Sequence, residues 1–217
     1  MSAAAPAKPL KSRNLPWLCS LVILDALVIL AFVLPAELAT ASLTAVVGAR
    51  AAITPLLPLV VLLLTQVLPS SLKASLVFWK VKDALPGHRA FSKYATADPR
   101  VNVPALQKRL GQLPSSPREQ NTTWFKLYLQ VANEPSVVDA NKGYLLFRDM
   151  AAISILLVVA VPASMSAKGA GVRVTLIVAA LFAVQYLFTA IAARNNGVAL
   201  VTNVLSLSAD GAKPKKR

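Results

Sequence analysis

One aspartate in the middle of an apolar run has more chemical consequence than any other residue in this sequence. Asp25 stands at the centre of Leu15–Leu34, a stretch that carries no other charge. An aspartate at the middle of a lipid bilayer costs on the order of 2.5–3.5 kcal/mol by insertion scales, so it must face protein or water. Gln185 falls near the middle of another apolar run, at matching depth. The pair leaves two readings open. They can hydrogen-bond across a helix bundle, or Asp25 can line a water-filled path, as a ring of acids does in a cation-conducting oligomer.

Conventional catalytic chemistry lacks its residues. His88 is the only histidine and Cys19 the only cysteine, so a zinc site and a disulfide framework are both excluded. No phosphate-binding loop, dinucleotide fingerprint or nucleophile elbow is present. Gly87-His88-Arg89 reads as a solvated turn, and the acids outside the apolar runs lie apart from one another. The expectation is a protein that is not an enzyme, with no catalytic residue, no metal and no cofactor.

The elements that would hold Asp25 and Gln185 are long apolar blocks. Of the 217 residues, 56% are hydrophobic and 15% charged, against about 25% charged in an ordinary soluble domain. Crossing a bilayer takes roughly 20 apolar residues in a helix. Four stretches qualify: 15–34, 51–68, 150–167 and 174–193. The second contains Pro55 and Pro58, which kink rather than break a membrane helix when neighbours satisfy the freed carbonyls. The first is too long and too interrupted for a cleaved signal peptide. The fold class expected is therefore an all-α membrane protein, four transmembrane helices with a helical cytoplasmic domain inserted between spans two and three. Its parts are a basic tail at 1–14, a hairpin at 15–68, a basic helical domain at 69–149, a second hairpin at 150–193 and a basic tail at 194–217. Arg194-Asn195-Asn196-Gly197 reads as the stop of the last span.

Lysine and arginine set the orientation. Twenty of the 23 fall in the two tails and the central region, against Arg50, Lys168 and Arg173 on the opposite side. Both termini and the central region are expected in the cytoplasm. Much of the net charge of +14 is thus topology, although the central region still holds twelve bases against six acids.

Within that region Ser70 and Ser71 cap a helix reaching about Ala84, Asn102 before Pro104 opens another, and Ser116-Pro117 a third. A last helix starts at Ser136 and meets no stop before Met150, so it runs on into the third span. The helical spacing of Trp124, Tyr128, Tyr144 and Phe147 assigns them to a core rather than to base stacking. The basic residues Arg89, Lys93, Arg100, Lys108, Arg109, Arg118 and Lys126 form the candidate ligand-binding surface, suited to a nucleotide, a nucleic acid or an acidic protein.

In plan (four spans, a cytoplasmic helical insert and a basic balance) the chain resembles small bacterial membrane effectors of antiphage defence, with Hailong-type channel subunits the nearest comparison. The resemblance covers architecture and no diagnostic motif. It implies a homo-oligomeric pore in contact with membrane lipid, gated through the cytoplasmic part by a nucleotide, an oligonucleotide or a partner protein. It also implies the bacterial inner membrane. The alternative is a non-conducting adaptor that recruits an acidic protein or nucleic acid to the cytoplasmic membrane surface. In a eukaryotic source the terminal Lys213-Pro214-Lys215-Lys216-Arg217 would have the spacing of an endoplasmic-reticulum retrieval signal. Single cysteines in a Cys19→Ser background test the orientation. An impermeant maleimide added outside intact cells is expected to label Ala41→Cys and Gly169→Cys and to spare Ala3→Cys and Ala212→Cys; external labelling of the last would reverse it.

Overall fold

A computed structural model describes residues 10–33, 63, 66–209 and 211, and every regular element among them is helical. Most of the expected second span, and the outer parts of both tails, lie outside the described residues. The long elements are α1 (Leu10–Val33), α2 (Ser70–Phe78), α3 (Val103–Leu110), α4 (Pro117–Val131), α5 (Pro135–Ala167) and α6 (Val172–Ala209). The chain divides into two compact units. One is Met1–Pro69 with Asp149–Thr189, the other Ser70–Arg148 with Ala190–Arg217.

In the first unit, α1 presents a stripe at helical spacing: Asn14, Leu18 and Asp25 are buried, an inward-facing pattern for a 3.6-residue period. Val28 and Ile29 extend it and pack, with Leu157 and Val158, against a core of Val161, Met165, Val178 and Phe182. The core thus joins α1 to the hairpin of α5 and α6. The hairpin turns at Gly169, whose φ of +74° suits glycine, and the amide of Ala170 closes the end of α5 on the Met165 carbonyl at 3.0 Å. The helices α5 and α6 are long and apolar enough to cross a membrane, yet only 33% and 28% of their most apolar windows are buried. The core helix of a soluble protein would be covered. Here Leu181, Val184, Leu187 and Phe188 face outward.

The second unit begins with α2, which stops at Phe78, short of the expected Ala84. Trp79 takes a left-handed φ of +51°, and Asp83 does the same. A bulky residue adopts that conformation only when its surroundings impose it. The Lys80 amide closes the turn on the Ser75 carbonyl at 3.2 Å, and two contacts from Arg194 add to it. Arg194 Nη2 donates to the Phe78 carbonyl at 3.0 Å, and the Arg194 guanidinium lies 4.2 Å from the centre of the Trp79 ring.

A 3₁₀ turn (Pro86–Arg89), a π turn (Ala90–Tyr94) and one α turn (Ala95–Ala97) follow. The next two helices start where their caps place them. Asn102 Oδ1 accepts from the Ala105 amide at 3.1 Å, and Ser116 Oγ from the Glu119 amide at 3.4 Å, ahead of Pro117. Trp124, Leu127 and Val131 are buried on α4, with Val137, Ala140 and Tyr144 buried on α5. As expected, α5 runs without interruption through Met150.

The expected stop at Arg194–Gly197 is corrected. The helix α6 continues through it to Ala209, so residues 194–209 form part of the second unit rather than a tail. The glycine there serves close packing. A Cβ on Gly197 would stand 3.0 Å from Phe78 Cζ and 3.1 Å from the Tyr144 ring. Gly143 of α5 meets the Asn196 side chain in the same way, and Asn196 Nδ2 donates to the Ala192 carbonyl one turn back at 2.8 Å. Glycine costs a helix about 1 kcal/mol, and the ring contacts offset it. Gly197→Val is expected to destabilise the second unit by about 1–3 kcal/mol through overpacking. A lowered melting temperature by circular dichroism reads the loss, and an unchanged melt would mean that the rings do not rest on Gly197.

Candidate functional site

Two groups of polar side chains are candidates, one in each unit. In the first unit Asp25 is 2% exposed, and neither carboxyl oxygen makes a hydrogen bond with a described residue. Gln185 lies beside the carboxyl, close to hydrogen-bond range but outside good geometry; its Nε2 donates instead to Ser154 Oγ at 3.0 Å. Ser154 Oγ in turn donates to the Met150 carbonyl at 3.0 Å. Asp25 and Gln185, paired by depth in the sequence, are thus neighbours in space. The serine that competes for the glutamine was missed, because nothing in its local sequence marks Ser154 as facing inward.

In the second unit a cavity of about 560 Å³ is lined by Phe78, Trp79, Lys80, Arg89, Lys93, Tyr94, Ala97, Arg194 and Val198. Among these lining residues four are cationic, three aromatic and none acidic. The aromatics hold the cations: the Arg89 guanidinium lies 5.4 Å from the Phe78 ring centre and 5.8 Å from that of Tyr94. Such cation–π contacts fix a guanidinium without neutralising it. Arg89 Nε and Nη2 are enclosed, with no hydrogen-bond acceptor among the described residues. Burial pushes the Tyr94 hydroxyl above its ordinary pKa, against the opposing pull of Arg89 and Arg194, so the phenol stays neutral.

Gln120 positions this wall. Its buried Oε1 accepts from the amides of Phe91 and Ser92 at 3.1 and 3.0 Å and from Ser92 Oγ at 3.1 Å, while Nε2 donates to the Ser115 carbonyl at 2.8 Å. Those amides are the second and third of the π turn, among the first-turn donors that a helix does not satisfy internally. Gly87 precedes it with its Cα against Asn121 and Trp124, leaving no room for a side chain.

Of the seven basic residues singled out from the sequence, Arg89 and Lys93 line the cavity and the other five do not. Arg100 is committed to Asp98 (Nη2 to Oδ2, 2.7 Å) and also donates to Thr202 and Asn203. Arg109 donates to the Ser208 carbonyl and to Gln130 Oε1, both at 2.6 Å. Lys108, Arg118 and Lys126 are exposed. Lys80 and Arg194, on the cavity wall, were not singled out. Arg194 in particular reads locally as the charged end of an apolar helix.

Comparison with known proteins finds no matching family model, no matching curated protein and no matching solved structure.

The Asp98–Arg100 pair generates a pH prediction. Its hydrogen bonds from Arg100 hold the Asp98 carboxyl at about 2, below the ordinary 3.8. A depressed carboxyl stabilises the folded chain fully above the unfolded value, and the contribution is lost as pH falls through the folded one. Because Arg100 is 60% exposed, solvent screening holds the gain below about 1 kcal/mol. Asp98→Asn is expected to melt below the parent near neutral pH, the gap closing between pH 3.8 and about 2. A gap independent of pH would assign the loss to something other than the charge.

Proposed function

We propose that the chain is a four-span membrane protein that assembles into an oligomeric channel opened through its basic helical unit. Two helices of sufficient length and apolarity, largely uncovered, support the membrane part of this reading. Under it both termini are cytoplasmic and the membrane is the bacterial inner membrane, as for the antiphage effectors that the chain resembles in plan.

Asp25 is the observation that carries conduction. A buried carboxyl with no well-formed hydrogen bond among the described residues is costly, and a bundle shaped by stability alone is better served by an apolar residue there. Ionisable residues inside apolar spans mark ion paths by default. The described arrangement is then the closed one. The helix α1 holds Asp25 inward beside Gln185 and Ser154. Opening turns the carboxyl toward a path shared among copies, where acids and water replace the hydration of a passing cation.

The second reading is a dry, non-conducting bundle that anchors an adaptor for an acidic protein or nucleic acid. The 2% exposure of Asp25 favours it. Proteoliposomes separate the two. Full-length protein is expected to pass K⁺, with anionic lipid or nucleotide present. Asp25→Asn, of unchanged helicity and assembly, is expected to slow the flux about tenfold, a barrier change of about 1.4 kcal/mol. Absence of flux under every condition, from a monomer in detergent, would leave the adaptor.

A further inference from the structure

We propose that the Phe78–Arg194 cavity of the second unit is a receptor site for a phosphate group carried on an apolar or planar body. The inference rests on the channel reading only for its consequence, gating; the binding itself stands on the cavity.

Four observations converge on one wall. The lining brings together Lys80, Arg89, Lys93 and Arg194 with no acid among the described residues there. Like charges gathered without a counter-ion repel one another, and an anion seated among them removes that cost. Arg89 Nε and Nη2 are enclosed and lack acceptors among the described residues, so no neighbouring acceptor there offsets the guanidinium's charge. A planar guanidinium already held by Phe78 and Tyr94 loses little freedom on meeting a phosphate, and its fork matches phosphate oxygens. The wall is also built from unusual backbone: the left-handed Trp79 and the π turn Ala90–Tyr94. Both conformations recur at functional sites, where strain is held by the surroundings.

The apolar half of the site defines the rest of the ligand. Trp79 is 51% exposed and carries Arg194 at 4.2 Å from its ring, which leaves aromatic surface for a flat or aliphatic body. A carboxylate ligand offers two oxygens in one plane and a single negative charge. A phosphate, with three or four oxygens, can engage several of the four cations at once. Two sources carry this chemistry, a phospholipid headgroup and a soluble phosphate ester.

Native mass spectrometry of the full chain in a phosphatidylcholine-based micelle tests the site with three probes: inorganic phosphate, AMP and phosphatidylglycerol. Retention of AMP assigns a soluble ester, and retention of phosphatidylglycerol over phosphatidylcholine assigns a headgroup. In either case Arg89→Gln is expected to weaken binding about tenfold or more. Lys80→Gln with Lys93→Gln, both at exposed positions, is expected to weaken it in the same direction without a change in melting temperature. Arg118→Gln, outside the cavity, is expected to bind as the parent does. Failure to retain any of the three probes overturns the proposal, as does equal retention by the Lys80→Gln, Lys93→Gln double variant. Binding without ion flux would sink the channel and leave the site. Flux without binding would do the reverse.

Discussion

Gln120 reaches out of α4 and takes up the second and third amides of the π turn, and the cavity wall of the second unit follows from that single buried amide. Arg89 stands immediately before the turn; Lys93 and Tyr94 close it. An α-helix would place these side chains in a different order around its axis, since a π turn spreads five residues over a longer loop of backbone. The turn is tolerable because its surplus donors have an acceptor. A residue without one at position 120 would leave the Phe91 and Ser92 amides without that acceptor, the buried Phe91 amide at a cost of about 1–3 kcal/mol. Polar satisfaction, rather than apolar area, therefore fixes where the charged groups of this unit point.

The same economy recurs where α5 and α6 meet. Gly143 and Gly197 remove side chains at the crossing, Asn196 fills the gap beside Gly143, and the rings of Phe78 and Tyr144 close over Gly197. The Phe78 ring in this contact also carries the Arg89 guanidinium. Packing and electrostatics share their parts here, so a change to a glycine in α6 is transmitted to a charge on the cavity wall.

Features decided within a few residues were legible in the sequence. The caps at Asn102 and Ser116, the proline at the first turn of α4, and the uninterrupted run from Ser136 through Met150 are local hydrogen-bonding and steric matters, and the chain obeys them. Asn196-Gly197 was misread because a helix stop and a close helix crossing use the same residues; only the partner helix distinguishes them. The end of α2 was misplaced for a related reason. Nothing near Trp79 in sequence announces the arginine 115 positions later that stacks on it. Charge alone could not rank the seven basic residues of the expected ligand surface. Arg100 and Arg109 proved to be occupied in structural hydrogen bonds, whereas Arg89 retains nitrogens without acceptors among the described residues. Composition marks a side chain as cationic, but only the fold decides whether it is already spent.

The left-handed residues at Trp79 and Asp83 have a consequence for how the unit fluctuates. The turn at Trp79 closes locally, the Lys80 amide bonding the Ser75 carbonyl at 3.2 Å, and Arg194 holds it from the last long helix. The segment from Trp79 to Asp83 lies outside any helix, so it opens more readily than α4 when the native state fluctuates. Backbone amides from Trp79 to Asp83 should therefore exchange their hydrogens long before those of α4, making one edge of the cavity a hinge held shut by a single stacked guanidinium.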